Sequence, residues 1–158
     1  MRRNLPKLLG SIVLPLIIGF AGSMFTRPSV DSWFATLKKP IFAPPNWLFA
    51  PAWTLLYIMM GIAFYLIWQQ GYSVQLRLAF AVYALQLILN LLWSLFFFGL
   101  HSPLLGFADI VILWIVVLIN IILFYRLRRA AGLLLIPYIL WLTFASVLNL
   151  SIVLLNLK

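Results

Sequence analysis

Five runs of apolar residues, each near the length a helix needs to cross a bilayer, make up almost all of this chain. A helical span takes about 20 such residues. The runs lie near Leu8–Phe25, Trp47–Trp68, Leu78–Leu100, Leu104–Phe124 and Ala131–Leu157. Short polar stretches separate them: Arg27-Pro28, Lys38-Lys39-Pro40, Pro44-Pro45, Gln69-Gln70-Gly71, His101-Ser102-Pro103 and Arg126 to Arg129. Of 158 residues, 66% are hydrophobic and 8% charged, against about 25% charged in a soluble domain. A soluble fold of this size hides only part of its surface, so the bilayer must cover the rest. Backbone polar groups in lipid have to be satisfied within their own segment, which makes the spans helices. Barrel strands would be about 10 residues of alternating polarity, whereas these runs are apolar on every side. The expected fold class is an all-α membrane protein, a five-transmembrane-helix bundle forming one domain over residues 1–158. Short gaps make consecutive helices antiparallel neighbours. The longer gap, residues 27–46, is read as a loop in which Ser29 to Leu37 forms a short interfacial helix with Trp33 at headgroup level.

Eleven Lys or Arg stand against two acids, Asp31 and Asp109, for a net charge of +9. The basic residues are confined to the gaps, the pattern of topology signals and headgroup contacts. No basic groove with interleaved aromatics appears, so no nucleic-acid partner is expected. Arg2, Arg3, Lys7, Arg77, Arg126, Arg128 and Arg129 share one face of the membrane, and Arg27, Lys38, Lys39 and Lys158 the other. That excess predicts a cytoplasmic N-terminus in a multi-pass protein of a bacterial cell membrane. Arg2, Arg3 and Lys7 followed by an apolar stretch ending Ala21-Gly22-Ser23 also fit a secretory leader. Cleavage there would remove Ser11, Pro15, Gly19 and Ser23, small residues at every fourth position that let another helix come close; the span is therefore expected to stay. The absence of cysteine excludes disulfides, thiolate nucleophiles and cysteine-ligated metals. His101 is alone in a turn with no further ligands nearby, and no metal site is assigned. His101 and Asp109 lie about two helical turns apart, a weak pairing for acid–base chemistry, and no catalytic residue is assigned. Asp109 is the one acid inside a span: either a functional group or a carboxyl hydrogen-bonded to a neighbouring helix or helix end.

Several spans carry a stripe at helical spacing. The third has Tyr83, Gln86, Asn90, Trp93 and Phe97; the fifth has Tyr138, Trp141, Ala145, Asn149, Ile152 and Asn156. The second has Trp53, Tyr57, Gly61, Phe64 and Trp68, and the fourth has Asp109 and Asn120 nearly in register. A bare amide in lipid costs several kcal/mol, so Gln86 and Asn90 must face another helix or a cavity. Such stripes are either interhelical packing or the lining of a pocket. Trp33, Trp47 and Trp68 suit interface anchoring. Trp53, Trp93 and Trp141 lie deeper, with Gly61 and Ala145 leaving room beside them. A pocket there would suit a flat aromatic or sterol-like molecule.

The segment from Leu37 to Tyr57, Lys38-Lys39-Pro40-Ile41-Phe42-Ala43-Pro44-Pro45-Asn46-Trp47 through Trp53-Thr54-Leu55-Leu56-Tyr57, resembles the signature of the tryptophan-rich sensory protein family, which includes the translocator proteins or peripheral-type benzodiazepine receptors. Asn90-Leu91-Leu92-Trp93-Ser94-Leu95-Phe96-Phe97 resembles its third-helix motif, and Pro137 to Asn149 its fifth-helix motif. The resemblance spans essentially the whole chain. It implies a five-helix bundle, commonly a homodimer. The implied pocket beneath the first interhelical loop binds protoporphyrin IX or haem and, in some members, sterol, isoquinoline or benzodiazepine ligands. Carried over by motif, the pocket residues are Trp53, Tyr57, Asn90, Trp93, Trp141, Phe144 and Ala145, and Trp33, Pro44 and Pro45 belong to the lid loop. Phe97 and Tyr138 join them through their stripes. The family usually has Trp where Phe42 stands in that loop. Its sterol motif needs a Tyr before a basic residue at the end of the fifth helix, where Leu148 to Lys158 has none. No cofactor is obligatory; the porphyrin is a ligand. Ring faces of Trp53, Trp93 and Trp141 suit a flat π-system, Asn90 a polar edge, and Lys38 and Lys39 its propionates or, equally, lipid headgroups. Sensing or regulation, transport of porphyrin or sterol, and light-dependent porphyrin degradation all remain open.

Overall fold

A computed structural model describes residues 4–157. Helix α1 covers Leu5–Val30, α2 Phe49–Trp68, α3 Val74–Ser94, α4 Pro103–Leu127, α5 Arg129–Leu134 and α6 Ile136–Leu155. Single 3₁₀ turns at Phe34–Thr36 and Asn46–Leu48 sit in the long loop, and a π turn at Leu95–Gly99 extends α3. Among the described residues, five segments are long and apolar enough to cross a membrane: Leu5–Val30, Asn46–Trp68, Val74–Gly99, Pro103–Leu127 and Arg129–Leu155. The described residues contain no strand. The molecule is an all-helical, multi-pass integral membrane protein. Arg2, Arg3 and Lys158, used in the topology argument, lie outside the described residues.

Local signals set the helix starts. Asn4 caps α1 by accepting from the Lys7 amide at 3.2 Å, Ser73 caps α3 through the Leu76 amide at 3.1 Å, and Ser102 caps α4 through the Leu105 amide at 3.2 Å. Each satisfies an amide that the first turn leaves without a partner. Pro103 follows Ser102 at the first helical position, where a missing N–H costs nothing. Pro137 opens α6 in the same way. Having no N–H for the carbonyl of Leu133, it splits the fifth span at Leu135.

The expected interfacial helix over Ser29 to Leu37 is not formed. Helix α1 instead runs on through Arg27 and Pro28 to Val30, and only Phe34–Thr36 is a 3₁₀ turn. Pro28 leaves the Met24 carbonyl without its helical N–H in the last turn, and one tertiary and one local side-chain bond hold that end. The Ser29 hydroxyl donates to the Phe98 carbonyl at 2.9 Å, and that of Ser32 to the Pro28 carbonyl at 2.8 Å. Ala21-Gly22-Ser23, the leader-like segment, lies inside this continuous helix.

Helix α1 packs on α2 and α3, α3 on α4, and α4 on α6. The second and fifth spans approach closely only where α2 meets α5. At the Ser11 end of α1 the packing is backbone to backbone. A Cβ added to Gly61 would lie 2.5 Å from Ile12 Cα and 2.7 Å from the Ser11 carbonyl oxygen. Of the small residues expected to allow this approach, Ser11 and Pro15 are buried, while Gly19, set against the Tyr57 ring, and Ser23 are partly exposed. Helices diverge from there toward the loop between α1 and α2.

Gly61→Val should force α1 off α2 and lower stability by about 1–3 kcal/mol, the usual cost of overpacking. Gly10→Ala, where an added Cβ meets nothing within 4 Å, should not lower it and, by helix propensity, should raise it by up to about 1 kcal/mol. Thermal unfolding of the detergent-solubilised protein, followed by intrinsic tryptophan fluorescence, makes the comparison.

Candidate functional site

Where α2 and α6 diverge, a cavity of ≈ 460 Å³ opens among α1, α2, α3, α4 and α6. That is within the range of about 300–1,000 Å³ usual for small-molecule sites. Aromatic side chains wall it. Trp53, Trp93, Trp141, Phe34, Phe49 and Phe97 all line it. Trp53 meets Trp141 edge-on at 6.4 Å and stacks on Tyr57 at 5.6 Å, while Trp93 stacks on Phe97 at 4.9 Å. The π turn at the end of α3 lets consecutive rings, Phe97 and Phe98, both turn inward; they are 2% and 7% exposed. Phe20, Ala50 and Thr54 line the cavity yet are exposed, so it reaches the lipid-facing flank between α1 and α2.

The floor is a hydrogen-bonded relay through three helices. Tyr57 donates to Asn90 Oδ1 at 2.8 Å, Asn90 Nδ2 donates to the Tyr138 oxygen at 2.8 Å, and Tyr138 donates to Gln86 Oε1 at 2.9 Å. Gln86 Nε2 ends the chain 3.8 Å from Met60 Sδ. The two amides therefore face inward, satisfied by tyrosines from α2 and α6. A second bridge joins α3, α6 and α4: Trp93 Nε1 donates to Asn149 Oδ1 at 3.0 Å, and Asn149 Nδ2 donates to the Pro103 carbonyl at 2.9 Å. Trp141 differs. Its indole N–H is buried and meets no acceptor among the described residues.

The loop from Asp31 to Pro45 is pinned at two points. Asn156 clamps the backbone of Lys38, accepting from its amide at 3.0 Å and donating to its carbonyl at 2.9 Å. Trp33 stacks on His101 at 4.6 Å with the rings 10° apart. His101 holds a left-handed backbone, φ 52°, at the corner between α3 and α4. Its Nε2 lies 3.1 Å from Ser29 Oγ. Since the Ser29 proton goes to Phe98, the imidazole nitrogen is left to donate. Trp33, half-buried, is thus packed on the corner between α3 and α4 as well as standing at a loop position suited to the interface. Trp47, 71% exposed, and Trp68, 37% exposed, keep positions suited to anchoring.

Of the residues expected at a pocket, Trp53, Tyr57, Asn90, Trp93, Phe97, Trp141 and Ala145 converge on this cavity. Tyr138 and Phe144 are not among its lining residues. Tyr138 is 1% exposed, its hydroxyl drawn below the cavity by Asn90 and Gln86. Phe144 packs on Phe42 at 6.3 Å and Trp141 at 5.7 Å. In the loop, Phe42, Pro44, Pro45, Lys38 and Lys39 stand outside the lining as well, and the Lys39 ammonium lies 4.5 Å from the centre of the Phe34 ring. Asp109 is buried, but its Oδ2 has no partner among the described residues, so the expected interhelical tie is not made by that oxygen. Nor does His101 bond to it; its partners are Ser29 and Trp33. Sequence reasoning missed Arg27, Phe34, Asn46 and Phe49, all lining residues. A signal for Arg27 was present: the series Ser11, Pro15, Gly19, Ser23 continues at the same spacing to Arg27.

The TspO/MBR family model matches residues 11–155. This chain belongs to the TspO/MBR family. It is 51% identical over 153 residues to the tryptophan-rich protein TspO of Archaeoglobus fulgidus, covering 97% of this chain and 99% of that protein. It is 44% identical over 157 residues to the TspO of Chlorobaculum tepidum, covering 99% of each. The translocator protein of Bos taurus is 35% identical over 143 residues, 89% of this chain and 85% of the bovine one. In this TspO/MBR protein the relay beneath the cavity makes a direct prediction. Asn90→Leu strands the Tyr57 hydroxyl and should cost about 1–3 kcal/mol, more than Tyr57→Phe, which leaves Asn90 bonded to Tyr138. A double-mutant cycle on thermal unfolding in detergent should return a coupling between positions 57 and 90.

Proposed function

We propose that the cavity binds a tetrapyrrole, protoporphyrin IX or haem, and that the protein acts as a membrane sensor or regulator of it. The observation that carries this reading is the convergence of Trp53, Trp93 and Trp141 on one predominantly apolar cavity with the Tyr57–Asn90 pair at its floor. A porphyrin is a flat hydrophobic π-system with polar groups on its rim. Aromatic contacts of this kind contribute about 0.5–1.5 kcal/mol each. Trp53 and Trp141 present edge and face on adjoining walls, and Trp141 adds an N–H in want of an acceptor. The lid loop, clamped by Asn156 and His101, would limit exchange with the aqueous side. A second reading, movement of the ligand between cavity and bilayer, draws support from the exposed lining residues Phe20, Ala50 and Thr54 on the lipid flank. The homodimer, the sterol-like and isoquinoline or benzodiazepine ligands, and the cytoplasmic N-terminus that the sequence suggests belong to the same proposal.

Titration of the purified protein with protoporphyrin IX should quench tryptophan fluorescence saturably, with a midpoint on the order of micromolar, equivalent to about 8 kcal/mol of binding. Trp53→Phe and Trp141→Phe should each weaken binding several-fold. Quenching that never saturates, or that ignores both substitutions, would sink the proposal.

A further inference from the structure

We infer that Arg27 makes this cavity selective for ligands bearing a carboxylate, by pairing with that group at the mouth while the aromatic walls hold the ligand body. The inference rests on the tetrapyrrole reading above and adds to it the residue that recognises the ligand's charge.

Arg27 is the one Lys or Arg among the described lining residues. It reaches the cavity because α1 continues past Pro28. Counting by fours from Gly19 through Ser23 places Arg27 on the face of α1 that borders the cavity, and all three residues line it. The residue is exposed and lies in the last turn of α1. Across the mouth stands Asn46, also exposed and also lining, at the start of the second span. The cavity thus grades from apolar aromatic walls to a guanidinium and an amide at its rim, with no acidic residue among the described lining residues. An anionic group drawn to the rim meets one guanidinium among the described lining residues.

A guanidinium suits this place better than the loop ammonium groups. Its planar fork meets a carboxylate through two parallel hydrogen bonds and is more weakly hydrated than an ammonium, so less is lost when it leaves water. Lys39 is turned onto Phe34 and the Leu37 carbonyl, at 4.5 Å and 3.4 Å, and neither Lys38 nor Lys39 lines the cavity. A cation at the C-terminal end of a helix is also stabilised by the helix dipole, which explains its presence there but not why it borders the cavity. A lipid phosphate is the other anion within reach of such a residue, and the membrane composition in the test separates the two.

The test compares protoporphyrin IX, a dicarboxylate, with its uncharged dimethyl ester by tryptophan quenching in nanodiscs of phosphatidylcholine. The unaltered protein should bind the diacid about tenfold more tightly than the diester, the scale of one well-placed charge pair. Arg27→Gln should lose that preference by weakening the diacid alone, and Arg27→Lys should restore part of it. Replacing half the lipid by phosphatidylglycerol should leave the preference standing. If it instead abolishes the preference, Arg27 is a headgroup ligand and the inference fails. A diacid preference that survives Arg27→Gln, or that vanishes in the Lys38→Gln, Lys39→Gln double variant while Arg27 is intact, also overturns it. In all three cases the tetrapyrrole reading stands. Saturable binding of neither porphyrin to the unaltered protein removes that reading and this inference together.

Discussion

The relay from Tyr57 through Asn90 and Tyr138 to Gln86 is the interaction on which the rest of the arrangement depends. In a bilayer, apolar side chains gain little by leaving lipid for one another, so helix association rests on close packing and on hydrogen bonds between helices. Within the spans most exposed positions are apolar and equally content against lipid. The amides are not. An unpaired amide inside the bundle costs several kcal/mol, and Gln86 and Asn90, 0% and 5% exposed, have one arrangement that satisfies both. That arrangement needs a phenol from α2 on one side and a phenol from α6 on the other. The relay therefore fixes the rotation of α2, α3 and α6 together, and it does so at the level where the cavity begins.

Above the relay, side-chain volume determines shape. At one end of the α1–α2 contact, Gly61 lets the backbones of Ser11 and Ile12 come against it. Further along, Gly19 of α1 lies against the ring of Tyr57, again because it has no side chain. Beyond that level the facing residues are Phe49, Trp53 and Trp141, whose rings meet at edges and angles. Rings that meet edge to face cannot fill space as interdigitating leucines do. The helices are thus wedged apart at the end nearest the long loop, and the cavity follows from the placing of small residues at one end and large planar ones at the other.

Much of this was legible in the sequence, and the parts that were not share a cause. Five spans and three inward stripes could be read from apolar periodicity, because lipid enforces helices and punishes stray amides. The membership of Trp53, Tyr57, Asn90, Trp93 and Trp141 in one cluster followed from stripes and motif together. What escaped depended on where helices end. Arg27-Pro28 reads as a terminus, since proline breaks the hydrogen-bond ladder, and an arginine beside it reads as a topology signal. Tertiary bonds from Ser29 carry the helix on instead, which turns Arg27 from a boundary marker into a cavity residue. Phe98 was missed for a similar reason: a regular helix would turn it away from Phe97, and only the π turn brings both inward. Tyr138 shares the stripe of Trp141, but the stripe could not say that its hydroxyl would be taken by Asn90 and Gln86 beneath the cavity.

The polar groups are distributed in depth, and that distribution bears on what the site can hold. At the floor Tyr57, Asn90 and Tyr138 are each bonded to one another or to Gln86, so a ligand gains little by displacing the relay. Along the wall Trp93 is likewise committed, its N–H held by Asn149. Trp141 is the exception, with a buried N–H and no acceptor among the described residues. An indole donor left alone costs about 1–3 kcal/mol, a penalty that a ligand acceptor at that height would relieve. At the rim Arg27 and Asn46 add a charge and an amide. A ligand that matches this sequence is apolar at its leading edge, carries an acceptor part-way along one side, and ends in an anion. A plain hydrocarbon or a lipid tail would match only the first of these. A phospholipid could supply an ester acceptor and an anionic end, but its flexible chains offer no flat face to the rings of Trp53 and Trp141, and it is in that respect that the proposed aromatic acid would match the walls better.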